Sequence, residues 1–146
     1  KLRDFLDNYY IFSPEVQKSD AKAEVIVEWL FNTLKNNYKL MPLNIRDEID
    51  EAIILELQKD EDLKDIYRNI PDEQKSVVHF EKEIENLKEI ENLKEIENLK
   101  ERKTKYDGIK EKIVSRKVSA YIATMTDTYA ESMYRNLIGS EVDFIL

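Results

Sequence analysis

The chain contains no cysteine, two glycines, three prolines and a single histidine in 146 residues. The lack of cysteine rules out a disulfide framework and fits a cytoplasmic setting. With so few glycines and prolines, the many tight turns of a sheet-rich fold have nothing to make them. No apolar run approaches the roughly 18 residues needed to cross a membrane, and the first residues do not read as a signal peptide. No Gly-rich phosphate loop and no Cys-His-Asp constellation is present. Positive charge is also short. With 23 Lys and Arg against 31 Asp and Glu, the formal net charge is -8. That balance disfavours broad nonspecific binding to nucleic acid.

What is present is helix-forming sequence. Apolar residues make up 42% of the chain, enough for one domain of this length to bury a core. Leu2, Phe5, Leu6, Tyr9 and Tyr10 share one helical face before Ser13-Pro14 interrupts it. A helix is predicted from about 20 to 37, capped by Ser19 or Asp20. Its stripe of Ala23, Ile26, Val27, Leu30 and Leu34 is widened by Trp29 and Phe31, which implies burial on two sides. Ile45, Ile49, Ile53 and Leu57 predict a helix over 44–58 with Asn44 as its cap. The acidic run Asp60-Glu61-Asp62 can cap a short helix over 61–69, closed by Pro71. Asp107-Gly108 reads as a turn, followed by a long helix over 109–138. That helix would bury Val118, Tyr121, Met125 and Tyr129 against the Trp29-bearing helix, with Gly139 at its C-terminal cap.

Residues 83–101 repeat the hexad Glu-Ile-Glu-Asn-Leu-Lys three times. An apolar residue recurs at every third position, and each such step falls about 60° short of a full helical turn. Ile84, Leu87, Ile90, Leu93, Ile96 and Leu99 therefore wind around a helix rather than forming one seam, which makes a poor coiled coil. The hexad reads as a charged, solvated helical arm. The fold class is all-α: an irregular helical bundle carrying that low-complexity arm.

Candidate chemistry is sparse. His79 has Glu83 four residues on, too little for a metal site, so it reads as a surface or half-buried histidine. The carboxylate pairs Asp47-Glu48 and Asp50-Glu51, and the run 60–62, read as a solvated face. Arg116, Lys117 and Arg135 have the chemistry to meet phosphate, yet such residues on helices are commonly solvated or paired with Glu. Tyr121, Tyr129 and Tyr134 have the shape to stack on a base, yet at helical spacing they also suit a core with hydroxyls at its rim. Asp127, set among apolar neighbours, suits either orientation of a Tyr or Arg near substrate or a structural carboxylate with its own partner.

One segment carries a family resemblance. Tyr121, Ile122, Met125, Thr126, Asp127, Tyr129 and Ala130, then Tyr134, Arg135 and Leu137, are similar to the closing helix of deoxyguanosine triphosphate triphosphohydrolase-like proteins, an HD-domain branch. Ala120 stands where that family usually has Asp, and Thr124 where it usually has Gly. A second block resembles the family's segment leading into its C-terminal region. It comprises Leu2-Arg3-Asp4-Phe5-Leu6, Ser13-Pro14-Glu15-Val16, Lys22-Ala23-Glu24, Leu30-Phe31 and Leu40-Met41-Pro42. The resemblance thus covers 1–42 and 109–146 of a single all-α C-terminal region, with 43–108 as an insertion. It implies a parent that cleaves a dNTP to deoxynucleoside and triphosphate with a metal-activated water. The family's His, His-Asp and Asp metal ligands are not in this chain, so it implies a fragment without catalytic or metal-binding residues. Mg or Mn is then expected in a catalytic region N-terminal to it. Tyr121, Asp127, Tyr129 and Arg135 become the candidates for contact with substrate or a subunit interface. Expected partners are that catalytic region, the dNTP of the parent and further copies in a homo-oligomer; no membrane and no nucleic acid is expected. The rival reading is a non-enzymatic helical interaction module.

Overall fold

The computed structural model describes residues 14–87 and 93–145, with side-chain surroundings for 21–87 and 97–139. The stripe over 2–12 and the middle of the hexad lie outside these residues. The protein is all-α, as its scarcity of turn formers requires. Among the described residues six α-helices follow in order: α1 (Pro14–Asn36), α2 (Leu43–Lys59), α3 (Lys64–Arg68), α4 (Val77–Leu87), α5 (Leu93–Ala123) and α6 (Asp127–Ile145). Short 3-10 turns at Tyr38–Leu40 and Asp72–Gln74 join them. No helix among the described residues is long and apolar enough to cross a membrane.

The chain divides into two compact units, Lys1–Asn36 with Val118–Leu146, and Asn37–Lys117. In the first, α1 packs on α6. Ile26, Leu30 and Ala130 form its buried centre, with Trp29, Ile122, Met125, Met133, Tyr134 and Leu137 packed around them. The Trp29 and Tyr134 rings meet edge to face at 5.0 Å, an arrangement that adds about 0.5–1.5 kcal/mol beyond area burial.

In the second unit, Ile49, Ile53 and Leu57 lie fully buried on one face of α2, as their spacing predicts. Asp60 caps the turn into α3 by accepting the backbone N–H groups of Asp62 and Leu63 at 2.9 and 3.2 Å. Phe80 of α4 packs on Tyr106 of α5 with ring centroids 5.0 Å apart. Ion pairs run antiparallel along these two helices: Glu81 with Lys110 at 2.6 Å and Glu85 with Lys103 at 3.3 Å.

Several expectations are corrected. The first described helix begins at Pro14, not near 20, so Ser19 and Asp20 lie within it and are not caps. Pro14 suits the first turn, where its missing N–H costs nothing. The cap position of α2 is Pro42 rather than Asn44. The Asp107-Gly108 pair is not a turn; α5 runs through it. Gly108 and Gly139 both have φ below zero and open space where a Cβ would go, so neither place demands glycine. Helix α6 likewise continues past Gly139. The helix expected over 109–138 is two helices, broken at 124–126. The hexad is not wholly solvated either, because Ile84 and Leu99 are buried at 2% and 7% exposure.

Candidate functional site

The break between α5 and α6 is the three-residue segment Thr124-Met125-Thr126. At the end of α5 the hydroxyl of Thr124 donates to the Tyr121 carbonyl at 2.7 Å. The N–H groups of Thr124 and Met125 bond back three residues to Tyr121 and Ile122, tightening the last turn. Thr126 then starts α6: its hydroxyl accepts the Tyr129 N–H at 3.1 Å and its carbonyl the Ala130 N–H at 2.9 Å. That is N-cap geometry, a contribution of about 1 kcal/mol. Asp127 follows as the first helical residue, where a carboxylate is favoured by the helix dipole. The Met-Thr-Asp segment is thus a helix start, with Met125 turned against the Ile26–Leu30 core.

This turn brings Tyr121 and Tyr129 together. Their hydroxyls meet at 2.9 Å across the break. Partial burial and the bond to Tyr129 push the Tyr121 hydroxyl up to about 12. Tyr129 is 49% exposed, so this pair faces solvent at the edge of the core rather than its centre. Asp127 is exposed and has no side-chain partner among the described residues. It lines a small cavity of about 150 Å³ with Lys22, Ala23, Ile26, Val27, Ala130 and Glu131. Arg135 is held by Glu131 at 2.7 Å, and the same carboxylate oxygen takes Lys22 of α1 at 3.0 Å. The bond to Lys22, then its charge and that of Arg135, hold the Glu131 carboxyl below the usual range. Of the four candidates, the structure joins Tyr121 to Tyr129 directly. It sets Asp127 on the neighbouring cavity wall and commits Arg135 to an ion pair.

Lys22, Glu131 and Thr126 were missed as partners. The spacing of Glu131 and Arg135, one helical turn, is a readable signal. Thr126 is harder to read, because residue 129 is Tyr and not the Glu or Gln of a capping box.

The remaining candidates have structural partners or none. Lys117 pairs with Glu48 at 3.5 Å, and Arg116 is exposed. His79 is half-buried and belongs to the cap of α4. Its N–H donates to the Ser76 hydroxyl at 3.2 Å, and its Nδ1 lies 2.8 Å from the same oxygen. Among the described residues no three His, Cys, Asp or Glu side chains are grouped to hold a metal. The carboxylates expected as a solvated face have specific partners in four cases besides Glu48, one of them the pair of Glu61 with Lys64 at 2.7 Å. Asp50 accepts the buried Tyr38 hydroxyl at 2.6 Å. Lys105 bridges Asp60 and Asp62 at 3.0 and 2.8 Å, and its bond holds the Asp62 carboxyl below its ordinary range. Burial, then the bond to Asp50, keeps the Tyr38 hydroxyl protonated well above its ordinary range.

Residues 1–60 match the family described as the phosphohydrolase-associated domain. The match ties the N-terminal part of the chain to the HD-superfamily phosphohydrolases. It includes Lys22, Ile26, Trp29 and Leu30, the α1 side of the core that carries α6. It runs past residue 42 into α2 and ends before the Tyr121–Arg135 stretch. No curated protein and no solved structure matches the chain.

Proposed function

We propose that this chain is the C-terminal, non-catalytic part of a dNTP triphosphohydrolase. The parent converts a dNTP to deoxynucleoside and inorganic triphosphate in the cytoplasm. Its HD metal site, with Mg or Mn, is supplied by a catalytic region outside this chain. The observation that carries this reading is the phosphohydrolase-associated match over 1–60 together with the packing of α1 on α6. Two segments far apart in sequence, each resembling the same family, close on one shared core. A further part of the reading is that residues near the two ends form the family-derived scaffold, with the insertion confined to residues after the matched 1–60 and before the second end segment.

In this role the Thr126 turn fixes the direction in which α6 leaves α5, and with it the solvent-facing Tyr121–Tyr129 pair. Those hydroxyls, Asp127 and the Lys22–Glu131–Arg135 group then form the face offered to the catalytic region, to its substrate or to another subunit. The test is the coding sequence upstream of Lys1. A His, a His-Asp pair and a distant Asp in one helical region are the expected finding. Their absence from the complete gene product overturns the reading in favour of a non-enzymatic interaction module.

A further inference from the structure

The apolar stripe of α1 is wide enough for two partners, and among the described residues one, α6, packs on it. Ile26, Leu30 and Leu34 are buried on one side. On the neighbouring side Val27 remains 44% exposed, and with Phe31 it walls an open groove of about 630 Å³. The opposite wall comes from the end of α5: Ser119, Ile122 and Ala123. Ser119 and Ala123 are exposed, small and one turn apart, so they permit close approach of another backbone. Glu24 and Glu28, also one turn apart, line the same groove. Neither carboxylate has a hydrogen bond or ion pair among the described residues.

We propose that this groove binds an amphipathic helix bearing lysine or arginine one turn apart beside its apolar stripe. Two considerations select that occupant. An extended peptide would bury backbone N–H and C=O groups against walls that offer them no ladder, whereas a helix satisfies its own. Glu24 and Glu28 present two negative charges with no ion-pair partner among the described residues, at the spacing of an i, i+4 pair, so basic residues at that spacing complement them and acidic ones are repelled. The inference does not depend on the triphosphohydrolase reading, since neither the metal nor the substrate enters it.

The test uses the full chain and two fluorescein-labelled peptides of about 18 residues, long enough to hold helix. Both carry the same leucine stripe; one has lysine, the other glutamate, at two flanking positions one turn apart. Fluorescence anisotropy should show saturable binding of the lysine peptide and about tenfold or weaker binding of the glutamate peptide. Glu24→Lys with Glu28→Lys should reverse that preference, and Val27→Asp should abolish binding of both. All three residues are exposed, so circular dichroism of the variants should match the parent. Absence of saturable binding to the parent chain, or equal affinity for the two peptides, overturns the proposal. The comparison on the parent chain alone decides it if a variant fails to fold.

Discussion

Leu30→Ala tests whether α6 is held by α1. Leu30 is fully buried in the centre of the first unit, beside Ile26 and Ala130. Removing three carbons forfeits about 2–2.5 kcal/mol of transfer free energy. The cavity left among such neighbours brings the total to about 2.7–5.0 kcal/mol. Met125 is only partly buried at the rim of the same cluster, so Met125→Ala should cost less, about 1–2 kcal/mol. Thr128 is exposed, and Thr128→Ala should stay within about 0.5 kcal/mol. The assay has a built-in local probe: Trp29, the only tryptophan, sits against Tyr134 of α6. Urea unfolding followed by tryptophan fluorescence therefore reports the first unit, while far-ultraviolet circular dichroism reports all helices. With a slope of about 1.5 kcal/mol/M, a 3 kcal/mol loss moves the fluorescence midpoint by about 2 M. A Leu30→Ala loss below about 1 kcal/mol, or one no larger than that of Thr128→Ala, would refute the packing of α1 on α6.

Three further outcomes follow from particular contacts. Thr126→Ala should cost about 1 kcal/mol in the same assay and Thr126→Ser should restore most of it, because the hydroxyl caps α6; equal losses would remove the cap from the account. Ile84→Ala should cost about 2–4 kcal/mol by circular dichroism, since this hexad residue is buried; a loss under 0.5 kcal/mol would return the hexad to a solvated arm. Glu131 has a folded pKa depressed below its ordinary 4.5, so its ion pairs stabilise the unit above that value and are lost as pH falls through the lower folded value. Glu131→Gln should flatten the acid limb of the stability profile, and an unchanged limb would mean the pairs contribute nothing.

Much of this fold was legible because apolar spacing and burial coincide. Ile49, Ile53 and Leu57 gave α2 to within a residue at each end. The break at 124–126 was not legible for a physical reason. Val118, Tyr121, Met125 and Tyr129 keep helical spacing straight through it, yet of the last three only Met125 packs on the core; Ile122, Met133, Tyr134 and Leu137 of the flanking helices join it there, while Tyr129 stays exposed. Periodicity cannot tell whether the backbone stays helical in between, and here it also placed the exposed Tyr129 on the buried side. The Asp107-Gly108 pair misled in the opposite direction. It stands on the solvent side of α5, between the buried Tyr106 and the half-buried Ile109, where packing on the other face holds the helix. The winding pattern of the hexad prevents one continuous seam but does not prevent burial of single residues. Ile84 continues the buried face of Val77 and Phe80 on α4, and Leu99 lies two turns before the buried Tyr106 on α5, so the outer repeats join faces that are already packed. The candidate site was legible as a set of residue types. Its geometry was not, since the Tyr121–Tyr129 bond and the Lys22–Glu131 pair depend on the turn at Thr126.

The most direct test of the proposed role is triphosphate release from dGTP with Mn²⁺, measured side by side for this chain and for its complete gene product. None above blank is expected from the chain, whose only histidine caps a helix with Ser76. Chelator-sensitive release of inorganic triphosphate is expected from the complete product. Chelator-sensitive turnover by the chain alone, or no triphosphate from an intact, folded complete product, would contradict the proposed role.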